Sequence, residues 1–167
     1  MKNSMRTFIL LAAFTLTACG FHLRGSQLQD MAFAFQSLYL KAPAETLFVA
    51  ELRTALNANK VAMTPTSESA DLLLEVVSEQ TNKNILSLSG SGRVQEYQLI
   101  YRVSLRAYDN KQVDWLPPEE IMLTRILAYD DAQILAKEQE ESQLYRDMRT
   151  DAVGQAIRRL NRAKPQL

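Results

Sequence analysis

Between Arg93 and Tyr108 apolar and polar positions alternate almost without a break. Tyr97, Leu99, Tyr101, Val103, Leu105 and Ala107 fall on one side, and Gln98, Ile100, Arg102, Ser104, Arg106 and Tyr108 on the other. A period of two is the mark of a strand with one face in the core and the other in water. Gly90-Ser91-Gly92 just before it suits a hairpin turn. Upstream, Asp71 to Ser89 is β-rich: Leu72, Leu74 and Val76 share one face and Leu73 and Val77 the other, with Thr81-Asn82-Lys83-Asn84 expected as a bulge or twist. Gln36 to Ala42 also alternates. Asp109-Asn110-Lys111 turns the chain, and after Pro117-Pro118 a further strand is expected over Glu120 to Ala128, with Ile121, Leu123 and Leu127 on one side.

Two segments carry the helical period instead. Phe48, Leu52, Ala55 and Leu56 recur at three- and four-residue steps within Glu45 to Ala58, after the strand break at Pro43. Asn57 and Asn59 suit the end of that helix, because Asn tolerates the left-handed conformation. A Thr-Pro-Thr-Ser loop follows. Asp130 or Asp131 can cap a last helix running to about Arg162, with Leu144, Met148, Ala152, Ile157 and Leu160 as its apolar stripe. Continuous, that helix is roughly 48 Å long, and its first half is poorer in apolar residues. The order β-α-β-β-β-α predicts an α+β fold. It is a two-layer sandwich, with two helices packed on one face of a four-stranded, mostly antiparallel sheet.

The N-terminus does not fit this pattern. Lys2 and Arg6 precede an apolar run from Phe8 to Leu16, too short to span a bilayer as a helix. Leu16-Thr17-Ala18-Cys19 closes it, which is the pattern of a bacterial lipoprotein signal. Residues 1–18 are thus expected to be removed. Cys19, the one cysteine of the chain, would become the lipidated first mature residue, carrying a diacylglycerol and an N-acyl chain. An ordinary secretory signal with an incidental cysteine is the alternative. Residues 19–34 read as a tether and 35–167 as a single globular domain, since about 150 residues suffice for one core. Several acyl chains together give stable anchoring. Gly20, in place of the Asp that retains lipoproteins at the inner membrane, favours the outer membrane by analogy with known sorting rules.

Charge and chemistry narrow the function. The chain has 19 basic and 19 acidic residues, so nothing points to nucleic acid. The single histidine, His22, lies beside the expected anchor, where nothing rigid supports a catalytic set. No Cys/His metal spacing, phosphate loop or nucleophile elbow occurs. The expectation is a protein that is not an enzyme and holds no metal or cofactor beyond the lipid on Cys19. Arg93, Arg102, Arg106 and Arg125 on or beside the central strands read either as a basic stripe for phosphate or an acidic partner, or as a solvated sheet face.

Three blocks carry a family resemblance. Cys19-Gly20-Phe21-His22-Leu23-Arg24-Gly25 resembles the mature start of the LPS-assembly lipoprotein family (LptE). Gly92 with Glu96-Tyr97-Gln98-Leu99 resembles its central strand. Leu135-Ala136-Lys137-Glu138, with Glu140 and a helix ending Ile157-Arg158-Arg159-Leu160, resembles its final helix. The resemblance implies an outer-membrane lipoprotein whose domain plugs a large β-barrel translocon, helps it assemble and binds lipopolysaccharide. The domain would lie on the periplasmic side or within the barrel lumen. It also implies a lipopolysaccharide-binding role for Lys137. The companion arginine of the family falls at about Gly90 here, so Arg93 is the nearest substitute. A surface lysine paired with Glu141 is the plainer reading of Lys137. A scaffold or ligand-binding lipoprotein of another envelope transport machine is the alternative function.

Overall fold

The computed structural model describes residues 33–166. The expected signal segment, Cys19 and the tether up to residue 32 lie outside the described residues. The chain forms β1 (Ser37–Lys41), α1 (Leu47–Ala58), β2 (Ala62–Met63), β3 (Leu72–Leu88), β4 (Val94–Tyr108), β5 (Asp114–Ala128) and α2 (Ile134–Arg162). The strands make one sheet in the order β2-β1-β3-β4-β5. β1 runs parallel to β2 and β3, while β3, β4 and β5 are antiparallel neighbours. The expected α+β sandwich is present, with five strands rather than four. The extra strand is β2, only two residues long, and no periodicity can show in so short a segment.

One apolar layer joins both helices to one face of the sheet. Leu38, Leu72, Leu74, Val76, Leu99, Tyr101, Val103, Leu105, Ile121 and Leu127 come from the strands. Phe48, Leu52 and Leu56 come from α1, and Met148, Ala152, Ala156, Ile157 and Leu160 from α2. The alternation in β4 thus appears as expected: its odd positions from Leu99 to Ala107 are buried. Thr46 caps α1, its hydroxyl accepting the Val49 N–H at 3.3 Å. The left-handed residue that ends α1 is Lys60 (φ 61°), not an asparagine; Asn59 is the C-cap at φ −87°. Asp130 caps a short 3₁₀ turn, Asp131–Gln133, through the Ala132 N–H, and α2 starts after it.

Two irregularities depart from the expected pattern. The ladder between β3 and β4 shifts between Val76 and Ser78 and again between Ile85 and Ser87, while Thr81 to Asn84 pair regularly. The bulged residue is therefore Val77, half-exposed. After it, the residues facing the helices are Glu79, Thr81, Lys83 and Ile85, opposite Val103, Tyr101, Leu99 and Tyr97. β5 also begins at Asp114, before the two prolines and not after them. Pro117 and Pro118 sit where the β4–β5 register shifts, on the outermost strand. A missing N–H costs no ladder bond at an edge or bulge.

Ion pairs fasten the layers. Arg149 of α2, mostly buried, meets Glu51 of α1 at 2.7 Å. Glu119 and Arg125 of β5 reach Arg159 and Asp151 of α2, each at 2.8 Å. On the opposite, open face Lys41, Glu75, Arg106 and Asp114 form a row of alternating charge across β1, β3, β4 and β5.

Asp71 ties β1 to the start of β3. Its carboxylate accepts the N–H groups of Gln36 and Ser37 at 3.0 and 2.9 Å, and its own N–H donates to the Ser37 hydroxyl. The bond from Gln36, followed by those from Ser37, holds its pKa below the usual carboxylate range. A depressed pKa contributes stability above the unfolded-state value that is lost as pH falls through the folded one. Asp71→Ala is expected to cost about 1–2 kcal/mol in urea denaturation at pH 7. The gap between variant and parent should shrink as the pH drops below the usual aspartate range.

Candidate functional site

The sequence directs attention to Lys137 and Arg93. Both fall toward the same end of the sheet. The Tyr129 N–H donates to the Gln95 carbonyl at 2.8 Å, which holds the approach to α2 beside the start of β4 and the hairpin turn. That turn is closed by Ser89 and Arg93, with Gly92 at φ 80°, where a side chain would be strained.

Lys137 stands in the first turn of α2, on the helix face that carries Glu141, Leu144, Met148 and Ala152 farther along. Its side chain is only 18% exposed, and its ammonium meets Glu140 at 2.8 Å. The expected partner, Glu141, is engaged elsewhere: it takes Lys83 of β3 at 2.5 Å. A lysine can reach the i+3 carboxylate as readily as the i+4 one, and Lys83 competes for the latter. Arg93 lies in the turn itself, exposed, with no side-chain partner among the described residues. It pairs with Ser89, six residues beyond Lys83 along the hairpin, roughly 20 Å at strand rise. The two predicted residues thus share an end of the molecule without meeting.

Lys83 is the residue that sequence reasoning missed. Its ammonium lies 4.2 Å from the centroid of the Tyr97 ring and 6.0 Å from that of Tyr129, and the two rings meet edge to face at 5.1 Å. Counted in alternation from Leu72, Lys83 belongs on the open face. The bulge at Val77 moves it to the helix side. Beside it, the Tyr145 hydroxyl donates to the Asn82 carbonyl at 3.0 Å. Burial, and then Glu141, raise the Tyr145 pKa. Deeper in, the Tyr101 hydroxyl donates to Glu79 at 2.6 Å, and burial followed by that bond pushes its pKa well up.

Apolar side chains crowd the same end yet stay in water. Ile85, Leu86, Leu88, Ile134 and Leu135 are all exposed, Leu135 by 76%. Exposed apolar side chains at the end that carries Lys83 and Lys137 suit a ligand with both anionic groups and hydrocarbon, although Leu135 itself faces Glu138, Gln139 and Ser142 on the other side of α2. The other arginines do not form a stripe. Arg106 is paired with Asp114, and Arg102 lies 4.0 Å from Glu120 on the open face. Arg125 points to α2 and Asp151. The solvated-face reading fits Arg102 and Arg106. Among the described residues no three His, Cys, Asp or Glu side chains gather to hold a metal, and no helix is long and apolar enough to cross a membrane.

A profile of the LptE family, described as lipopolysaccharide-assembly, matches residues 29–160. The chain is 25% identical to the LPS-assembly lipoprotein LptE of Pectobacterium atrosepticum, across 96% of this chain and 86% of that protein. The solution structure of an uncharacterized lipoprotein B from Nitrosomonas europaea is 39% identical. It superposes with a TM-score of 0.71, covering 83% of this chain and 88% of its own. A minor lipoprotein from Acinetobacter baumannii shares the fold at a TM-score of 0.66, with 24% identity and coverage of 81% and 99%.

The Lys83–Glu141 pair, supported by Tyr97, pins the polar half of α2. Lys83→Met is expected to speed amide exchange of residues 134–142 about fivefold and to leave 148–160 unchanged. Exchange read by mass spectrometry checks this; equal acceleration along the whole helix would show that the pair is not a local latch.

Proposed function

The chain belongs to the LptE family of lipopolysaccharide-assembly lipoproteins, and on that footing we propose that it acts as the lipid-anchored partner of a large outer-membrane β-barrel. It plugs the barrel, supports its assembly and binds lipopolysaccharide on the way to the outer leaflet. Cys19 carries the anchor, and the globular domain lies on the periplasmic side or inside the lumen. The role is one of binding and positioning, not catalysis.

The observation that carries this reading is the composite end of the sheet. Lipopolysaccharide presents phosphates beside acyl chains. Lys137 and Arg93, with Lys83 between strand and helix, offer cations to the former. Ile85, Leu88 and Ile134 offer exposed hydrocarbon to the latter. Lys137 is nearly covered and tied only to an exposed carboxylate, so a phosphate can displace Glu140 at small cost. The charge-paired open face is compatible with a polar lumen, since barrel interiors of the outer membrane are wet.

Two measurements test the proposal. The full-length chain with a C-terminal tag, purified from outer membranes in mild detergent, is expected to bring down a large β-barrel protein in near-stoichiometric amount. Recovery alone, or with an inner-membrane transporter, would favour a scaffold for another envelope machine. Purified lipopolysaccharide is expected to bind the parent, and Lys137→Glu to weaken that binding about tenfold or more. Arg93→Glu should have a smaller effect, because Arg93 is held in no fixed geometry. Unchanged binding in Lys137→Glu would remove Lys137 from the site while leaving the barrel partnership standing.

A further inference from the structure

β5 is the outer strand on one side of the sheet, and its two halves treat that edge differently. In the first half Pro117 and Pro118 have no N–H to offer. The Gln166 N–H donates to the Asp114 carbonyl at 2.9 Å, and Arg159 reaches the Glu120 carbonyl at 3.3 Å. From Ile121 to Ala128 there is no proline. The bond from Tyr129 to Gln95 fixes the parity of the ladder: odd positions of β5 exchange bonds with β4, so Met122, Thr124 and Ile126 turn their N–H and C=O groups outward. Among the described residues one partner meets these groups, the Arg125 guanidinium on the Thr124 carbonyl at 3.1 Å. The side chains of the same stretch are bare too, with Met122 55% and Ile126 58% exposed. A free edge carrying exposed apolar side chains is a template for another strand.

The pattern of the edge specifies its own copy as that strand. A two-fold axis through Thr124 sets β5 antiparallel to the β5 of a second chain. Thr124 then faces Thr124, and Met122 faces Ile126 on both sides of the axis. Both apolar pairs form on the open face, where each side chain now stands in water. On the helix side Arg125 falls opposite Leu123, with its guanidinium already held by Asp151; on the open face Glu120 falls opposite Ala128. No like charges stand directly opposite each other, and the two Arg125 side chains, diagonal across the axis, are each drawn toward α2 by Asp151. The Thr124 carbonyl has a second lone pair, so its bond to Arg125 does not block the pairing. We propose that this chain forms a two-fold dimer by edge-to-edge pairing of Ile121–Ala128, continuing the five-stranded sheet across two copies. The inference stands on the edge alone and is independent of the barrel partnership.

Sedimentation equilibrium of the full chain in density-matched detergent tests it, with Thr124→Pro and Ile126→Lys as variants. Neither removes a bond to β4, since Thr124 points its N–H outward and Ile126 its exposed side chain. A thermal melt by circular dichroism confirms that each variant folds, and Ile126→Lys serves if Thr124→Pro does not. The parent is expected to show a monomer–dimer equilibrium whose dissociation constant rises tenfold or more in the folded variants. Amide exchange at Met122, Thr124 and Ile126 should slow as concentration rises. A parent that stays monomeric up to about 1 mM, or a dimer indifferent to both variants, overturns the proposal. So does protection of these amides that does not vary with concentration, which would mean that another segment of the same chain covers the edge.

Discussion

One inserted residue, Val77, organises the molecule. A strand keeps its side chains on fixed faces only as long as its register holds, and a single extra residue exchanges the faces beyond it. Before the bulge β3 gives the helix layer Leu72, Leu74 and Val76. Beyond it the strand gives Glu79, Thr81 and Lys83. The sheet is therefore two materials in sequence along one strand: an apolar floor under α1 and the second half of α2, and a polar floor under the first half of α2. That division explains why α2 can be 29 residues long with its buried side chains confined to Met148 and beyond. Ahead of Leu144 and Tyr145, which pack on the margin of the core, the helix is held by specific polar contacts such as Lys83 with Glu141.

The two halves serve different ends. The apolar half supplies the fold, and its ion pairs, Arg149 with Glu51 and β5 with α2, fix the layers laterally. The polar half supplies cations and hydrocarbon at a solvent-facing end. Contacts of the kind made by Lys83, Glu141 and Tyr145 are weaker than core burial. An end built from them can adjust without disturbing the core.

Legibility in the sequence follows the same physics. β4 was readable because its alternation runs uninterrupted, and α1 and the end of α2 because their stripes keep the helical step. The bulge left no mark, since Val77 is as good a strand residue as its neighbours. Lys83 was hidden for that reason and no other. Pro117-Pro118 read as a boundary because proline cannot serve a central strand, while β5 lies at the edge and carries a register shift there. Lys137 was reached through family resemblance and not through spacing, and its partner, Glu140, depended on Lys83 first taking Glu141. Cys19, the most specific residue in the sequence, falls outside the described residues.

The two borders of the sheet are covered in the same half and open in the same half. β1 lies beside β3 only over Leu72–Glu75, and from Val76 to Leu88 no strand among the described residues lies beyond β3. On the other border the prolines, Arg159 and Gln166 shield the start of β5 and leave Ile121–Ala128 open. Glu79 to Ile85 lie level with Ile121 to Leu127 across β4. The half of the sheet with the apolar floor is thus sealed at both sides, and the half with the polar floor has backbone to offer at both.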